Sequence, residues 1–551
     1  MILSQITKHF VQEALKRKIL NINDLQKLKN EFSSKYKIKS LLNRELILAY
    51  KKIVQEKSDL KSLSFERVIR KRSVRTESGI TSVTIVTKPY ACPGKCVFCP
   101  TEKGIPKSYA SNEPGIMRAI LNDFDPKRQV KNRLQAYIGN GHTADKVEMI
   151  ILGGTFSFYP HRYQTDFVRK MYEALNEGLG AKMKDEKCKI ENVGSKMAKT
   201  LQKAQALNEK AEHRCVGLSV ETRPDYITEK ELLRFRKLGV TRIEIGVQHT
   251  VDRILTFNKR GHDIGAVKDA MRLMKDAGFK ITSHLMPNLP GATITEDYQM
   301  FLDVFNDPDL RTDWLKIYPC SVVPFSELEQ WFKQGRYQSY EQQDLIDLLI
   351  RVKQIVPLYI RITRLIRDIP DTSILSSASV SNLRQEIHQI ISKNQSKFQM
   401  CQCIRCREIR SAEVNLAKTE LNILEYEAQG GKEFFISIDD MSQNKLCANL
   451  RLRFPSQYFS RQKHFIKELE GAALIRELHV FGNESSIGSN QRGLAQHKGF
   501  GGQLLQQAEL KAKQAGFSKI AVISGIGVRE YYRKNGYHLE GSYMLKVLRK
   551  S

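Results

Sequence analysis

No run of about 18 apolar residues, the length a membrane-spanning helix needs, occurs in the 551-residue chain. Its first residues lack the apolar block and small-residue cleavage site of a secretory leader, so the expected location is cytoplasmic, with no membrane partner. The chain also shows no convincing internal repeat and no long low-complexity tract. Acidic residues are scarce: 60 Asp and Glu stand against 89 Lys and Arg, a formal charge of +29. That imbalance points to a polyanionic partner, nucleic acid before membrane. In a reducing compartment the ten cysteines are not expected to pair as disulfides. Their grouping at Cys92, Cys96, Cys99 and at Cys401, Cys403, Cys406 suggests metal ligation.

A chain of this length exceeds one ordinary core. Residues 1–75 carry helical apolar spacing (Ile6, Phe10, Leu15, then Leu41, Leu42, Leu46, Ile47) beside Lys16, Arg17, Lys18, Lys51 and Lys52, with a basic strip at 67–75. Residues 1–80 hold 11 of the 29 net positive charges. Residues 76–370 alternate β-rich runs (83–86, 147–152, 215–220, 242–247, 280–285, 314–318) with amphipathic helices. The fold expected there is an α/β, TIM-like partial barrel with its chemistry at the C-terminal strand ends. Residues 371–420 read as an irregular linker carrying the second cysteine group. Residues 421–551 read as a smaller α/β domain, with strands at 434–439, 449–454, 477–480 and 519–524 and a helix at 502–515.

Cys92-Pro-Gly-Lys-Cys96-Val-Phe-Cys99 follows the first strand. Three thiolates on one loop can ligate three irons of a [4Fe–4S] cube and leave the fourth iron open to a chelating amino acid such as S-adenosylmethionine. Structural zinc is the competing reading, although zinc loops usually pair cysteines in two separated knuckles. The spacing, with an aromatic before the last cysteine, resembles the radical SAM superfamily. Gly153 and Gly154 after the second strand, Glu221 with Arg223 and Asp225 after the third, and Gln248 with His249 after the fourth are candidates to hold S-adenosylmethionine.

Near the C-terminus, Gln496-His497-Lys498-Gly499-Phe500-Gly501-Gly502 opens a helix whose free backbone N–H groups suit a pyrophosphate. It follows the strand containing Glu477, Leu478 and His479, and resembles the acetyl-CoA loop of GNAT acetyltransferases. Tyr531 and Tyr532 occupy the place of a tyrosine that can protonate the leaving thiolate.

The segments Arg75-Thr-Glu-Ser-Gly79, Pro106-Lys-Ser-Tyr109, Glu113-Pro-Gly-Ile-Met-Arg118, Val220-Glu-Thr-Arg-Pro-Asp225, Lys316-Ile-Tyr-Pro319, Arg367-Asp-Ile-Pro370 and Arg476-Glu-Leu-His479 resemble the catalytic subunits of Elongator in their stand-alone prokaryotic form. The resemblance runs from about residue 70 to 550. It implies a tRNA carboxymethyluridine synthase acting on C5 of the wobble uridine, with S-adenosylmethionine as radical source and acetyl-CoA as carbon source. A [4Fe–4S] cluster would sit on Cys92, Cys96 and Cys99. Lys316 would steady an acyl or nucleobase oxygen, and the tRNA anticodon stem-loop would rest on the basic N-terminal module. Cys401, Cys403 and Cys406 suggest structural zinc, completed by Cys320 or a histidine. Cys188, Cys215 and Cys447 read as ordinary thiols. An external one-electron reductant is required, the chain is expected as monomer or homodimer, and other Elongator-type subunits are expected to be absent. Two further readings are a protein lysine acetyltransferase with a structural iron–sulfur barrel and an inactive tRNA-binding scaffold.

Overall fold

The computed structural model describes residues 2–70, 79–178, 200–376, 383–410, 412–482 and 499–548. Cys188, Gln496, His497, Lys498 and most of the basic strip at 67–75 lie outside them. Four helices, Ile2–Lys16, Ile22–Tyr36, Asn43–Glu56 and Leu63–Ile69, open the chain. Asn21 caps the second by accepting from the Asp24 N–H, and Lys37 closes it in the left-handed conformation. The apolar stripes of these helices meet in a core of their own, built on Phe10, Leu28, Phe32, Leu46 and Tyr50.

Seven parallel strands follow: β1 Thr81–Val86, β2 Lys146–Leu152, β3 Arg214–Thr222, β4 Arg242–Gln248, β5 Lys280–Leu285, β6 Trp314–Ile317 and β7 Arg361–Arg364. They are hydrogen-bonded in sequence order, and among the described residues β1 and β7 do not pair, so the sheet curls into a partial barrel. Helices between the strands cover its outer face. Thr228 caps the helix Glu229–Leu238, which ends on a left-handed Gly239, and Thr293 with Glu296 forms a capping box for Ile294–Asn306. The inner face is unusual for such a barrel. Alternate residues that elsewhere are branched apolar fillers include Glu148, Arg242, Glu244, His284 and Lys316, and a cavity runs between them.

The second sheet is mixed: β8 Thr419–Ala428, β9 Gly431–Asp440, β10 Lys445–Phe454, β11 Ala472–Val480, β12 Lys519–Val522, β13 His538–Glu540 and β14 Tyr543–Val547, in the order β13-β14-β12-β11-β10-β9-β8. β11 and β12 run parallel, and their pairing stops at Ile475 opposite Val522. β11 continues to Val480 against β10 alone, so a cleft opens between it and the chain leaving β12.

The two sheets share one continuous apolar core. Inside their contact lies a network of charges with no exposed side-chain surface. Arg476 binds Asp313 through two hydrogen bonds of 2.6 and 2.8 Å and Glu433 at 2.9 Å. Arg453 meets Asp276 at 2.6 Å. Glycine is required where the second domain presses on the barrel backbone. A Cβ on Gly525 would collide with the Val216 carbonyl, and one on Gly527 would lie 2.5 Å from the Arg214 Cβ.

Candidate functional site

The loop after β1 brings Cys92, Cys96 and Cys99 to the C-terminal mouth of the barrel. Arg260 donates to the Cys96 sulfur at 3.1 Å and to the Gly246 carbonyl at 2.7 Å. The hydrogen bond from Cys99 and the charge of Arg260 hold the Cys96 thiol down at about 5, while Cys99 is pushed up by the same partnership and by burial. A thiol held as thiolate is what iron requires. Gly94 lies between Cys92 and Cys96, and a Cβ there would sit 2.6 Å from an Arg223 Nη1 that has no hydrogen-bond partner among the described residues.

Of the residues expected to hold S-adenosylmethionine, Gly154, Glu221, Arg223 and Gln248 line the same mouth, whereas His249 is fully buried, 3.3 Å from Asp297. Gly153, at φ +136°, leaves no room for a Cβ against Thr87, and Gly154 follows at φ +86°. Gln248 is held at φ +71°, a conformation that costs a side-chain-bearing residue on the order of 1 kcal/mol or more, with its Oε1 buried and without a partner among the described residues. Glu221 accepts from Tyr109 at 3.0 Å, Arg367 lies over the Tyr109 ring at 4.7 Å, and Arg367 pairs with Glu113 at 3.0 Å. Segments that carried only resemblance in the sequence thus converge on one wall. An unpaired acceptor, a crowded glycine and a free guanidinium nitrogen beside three thiols fit an iron–sulfur cluster with a chelating amino acid.

Deeper in the barrel Lys316, 14% exposed, is ion-paired with Glu244, which also takes a 3.0 Å hydrogen bond from His284 Nε2. The carboxylate of Glu244 raises the Lys316 pKa against burial, so the lysine is a fixed cation. It faces the cavity and not the outer surface.

At the far end the second domain closes the cavity with Glu477, Leu478 and His479 of β11. Gly499, at φ +77°, starts the helix Phe500–Gln514, and a Cβ on Gly501 would fall 2.6 Å from the Tyr531 hydroxyl. Phe500 itself is buried in the core; Gly501 and Gly502 face the cavity. Tyr531 and Tyr532 differ: Tyr531 is 39% exposed above the glycine turn, whereas Tyr532 is 6% exposed and packs on Tyr537. Their helix, Arg529–Lys534, is tied to the barrel by Glu209, which binds Arg529 at 2.9 Å and Arg533 at 2.7 Å. The thiol triplet, Lys316 and the glycine turn line one cavity of about 1630 Å³.

The second triplet lies elsewhere. The sulfurs of Cys401, Cys403 and Cys406 are all within 4.8 Å of one another, the one such group of three among the described residues. That spacing suits a single ion, whereas the first three thiols need not converge because each would meet a different iron. Cys320 is not part of the group; it sits in the apolar cluster containing Cys96 and Trp331. The triplet lies between the sheets, with Arg407 joining Asp439 at 3.0 Å to the Leu358 carbonyl at 2.8 Å.

Spacing pointed to the cysteines and glycines, but gave no signal for Arg260, Tyr109, Glu244 or Arg367. Arg260 meets Cys96 across 164 residues, Tyr109 meets Glu221 across 112, Glu244 meets Lys316 across 72 and Arg367 meets Glu113 across 254.

Among the described residues no helix is long and apolar enough to cross a membrane. Residues 86–304 match the radical SAM superfamily and residues 312–393 the radical SAM C-terminal domain. The chain is 41% identical over 496 residues to a tRNA uridine(34) acetyltransferase of Methanocaldococcus jannaschii, covering 87% of each. It is 36% identical to Elongator complex protein 3 of Schizosaccharomyces pombe, covering 99% of this chain and 97% of that one. The solved Elp3 of Methanocaldococcus infernus, with residues 1–46 deleted, superimposes at a TM-score of 0.72 and 37% identity over 86% of this chain and all of that one. With identity at this level across both sheets and the cavity between them, the chain belongs to the Elongator complex protein 3 family of radical SAM proteins.

Proposed function

We propose that the protein is a tRNA carboxymethyluridine synthase acting on the wobble uridine. The observation that carries this reading is the single cavity joining the thiol triplet to the glycine turn. One product can draw on both groups only if they open into the same space. When bound, the cluster with S-adenosylmethionine supplies a primary carbon radical, and acetyl-CoA supplies the two-carbon unit.

The chain's own residues do the rest. Cys92, Cys96 and Cys99 hold the cluster, with Arg260 keeping Cys96 ionised. Gly153, Gly154, Glu221 and Gln248 hold the amino acid end of S-adenosylmethionine. Gly499, Gly501 and Gly502 offer backbone N–H groups to the CoA pyrophosphate, together with Gln496, His497 and Lys498. Glu477, Leu478 and His479 flank the acyl end, and Tyr531 is the proton source for the departing thiolate. Lys316 steadies an oxygen of the uracil ring with a charge that Glu244 maintains against burial. A structural zinc on Cys401, Cys403 and Cys406 would pin the linker between the sheets. The reductant is an external one-electron donor, and the chain acts as monomer or homodimer.

Protein reconstituted anaerobically with iron and sulfide, then given dithionite, S-adenosylmethionine, acetyl-CoA and tRNA, is expected to form 5′-deoxyadenosine and 5-carboxymethyluridine. In Lys316→Ala the modified base should fall about a hundredfold while S-adenosylmethionine cleavage persists uncoupled. Failure of the wild-type protein to modify tRNA under these conditions defeats the reading. Equal yields from wild type and Lys316→Ala defeat the role of the lysine.

The four N-terminal helices carry exposed Lys16, Lys18 and Lys52 and are assigned to the tRNA backbone. Deleting residues 1–75 should lower tRNA affinity at least about tenfold near physiological salt and flatten the dependence of log affinity on log salt. A truncated protein with an unchanged salt slope would remove the module from the tRNA interface.

A further inference from the structure

Trp314 opens β6 at the floor of the barrel, where the cavity passes into the second domain. Three cations lie over its ring: Arg242 at 4.3 Å, Lys280 at 5.4 Å and Arg361 at 5.5 Å from the centroid. Each already has a carboxylate. Arg242 pairs with Glu148 at 2.6 Å, Lys280 with Glu477 at 3.5 Å and Arg361 with Glu408 at 2.8 Å. Each of the three cations over the indole is therefore matched by a carboxylate.

Two neutral groups are not matched. The indole Nε1–H of Trp314 is buried with no hydrogen-bond partner among the described residues, and so is the Nε2 of His479. Buried indoles ordinarily find an acceptor, and a donor left without one keeps its full desolvation penalty. Both residues belong to one chamber: Arg361, over Trp314, is also 5.8 Å from the Phe481 ring, which stacks on His479 at 4.3 Å. Burial pushes His479 down to about 4, so its imidazole is neutral at physiological pH and can donate from Nε2 as readily as accept.

The ligand that suits neutral N–H groups beside a balanced ring of charges is an oxygen with partial negative charge. Because each cation over the ring already meets a carboxylate, none of the three is left for a phosphate. We propose that the Trp314 indole N–H and His479 Nε2 form an acyl-oxygen site for the thioester carbonyl of an acyl-CoA, so that the barrel and the second domain each contribute one donor. This rests on the reading that acetyl-CoA occupies the cleft beside β11. In hydrolysis, water adds to the carbonyl carbon and the carbonyl electron pair moves onto the oxygen that the two donors hold. The pair returns as the carbon–sulfur bond breaks, giving a carboxylate, the CoA thiol and one released proton. Donors in place before charge develops are worth more than donors that must reorient as it forms.

Trp314→Phe keeps a ring under the three cations and removes only the N–H. The expected result is a fall of about a hundredfold in kcat for acetyl-CoA hydrolysis by the reconstituted, tRNA-bound protein, with KM changed less than about threefold. Acetyl-CoA binding, followed by calorimetry, should be retained. The chain has only two tryptophans, so in Trp331→Phe all indole emission comes from Trp314. Acetyl-CoA should then shift that emission saturably and CoA lacking the acyl group should not. Wild-type kcat in Trp314→Phe, or identical emission changes with and without the acyl group, overturns the proposal. Failure of the wild-type protein to bind acetyl-CoA at all in the calorimeter overturns it together with the underlying reading, and so separates the two failures.

Discussion

Cys96→Ala is expected to reduce both 5′-deoxyadenosine and 5-carboxymethyluridine to background in the anaerobic assay and to strip most of the visible iron–sulfur absorbance from the reconstituted protein. The magnitude follows from the position. Cys96 is the buried member of the triplet, the one bonded to Arg260, and the one whose thiol is drawn down to about 5. Removing it leaves two thiols where three are needed to hold the cube, and a guanidinium that has lost the sulfur it met. The loss should therefore be of the cluster and not of the fold. Cys320→Ala is the matched control, because Cys320 is buried in the same apolar cluster but its thiol is pushed up to about 12 and cannot serve as a thiolate near neutrality. That variant should keep iron, sulfide and product. Modified tRNA from Cys96→Ala at the wild-type rate would end the radical reading. Loss of iron from Cys320→Ala to the same extent would reassign the effect to packing.

How much of this was legible depends on the distance over which each feature is encoded. β2 to β5 are apolar or alternating runs whose inner residues sit at period two, and the sequence pattern places each within a few residues of the observed bounds. β7, Arg-Ile-Thr-Arg at Arg361–Arg364, has four residues and two arginines, so periodicity cannot announce it. β8 and β13 escape for a different reason: as edge strands their side chains are mostly exposed, and the alternation that marks a buried face is missing. The cysteine triplets and the glycine turn are local and were readable from spacing. The cationic chamber was not, because Arg242, Lys280, Trp314 and Arg361 come from four strands and meet only when the sheet curls. The reading of Tyr531 and Tyr532 as an equivalent pair could not be resolved by sequence either, since only the helix Arg529–Lys534 decides which one faces the glycine turn.

Asp313→Ala carries the second large expectation, on stability. Asp313 has no exposed surface, takes two hydrogen bonds from Arg476, accepts from the Ile281 N–H at 2.9 Å, and lies 3.5 Å from Arg451 and 3.9 Å from Lys275. Its carboxyl is held far below the usual range by those cations despite burial, chiefly by Arg476. A buried ion pair is weak evidence of net stability, because desolvation offsets much of the attraction, but deleting one partner leaves the other charge uncompensated at a cost of about 3–5 kcal/mol. Here three cations from two domains lose their common anion, so the upper part of that range is expected, as a fall in the first thermal transition and in the first urea midpoint. Asp313→Leu combined with Arg476→Met removes the dominant pair as similar volumes and should recover most of the loss. Because Trp314 follows Asp313 directly, its emission in Trp331→Phe should report the interface loosening at that first transition. A first transition within about 1 °C of wild type in Asp313→Ala would mean that the apolar core shared by the sheets, and not this charge network, holds the cavity's two ends in register.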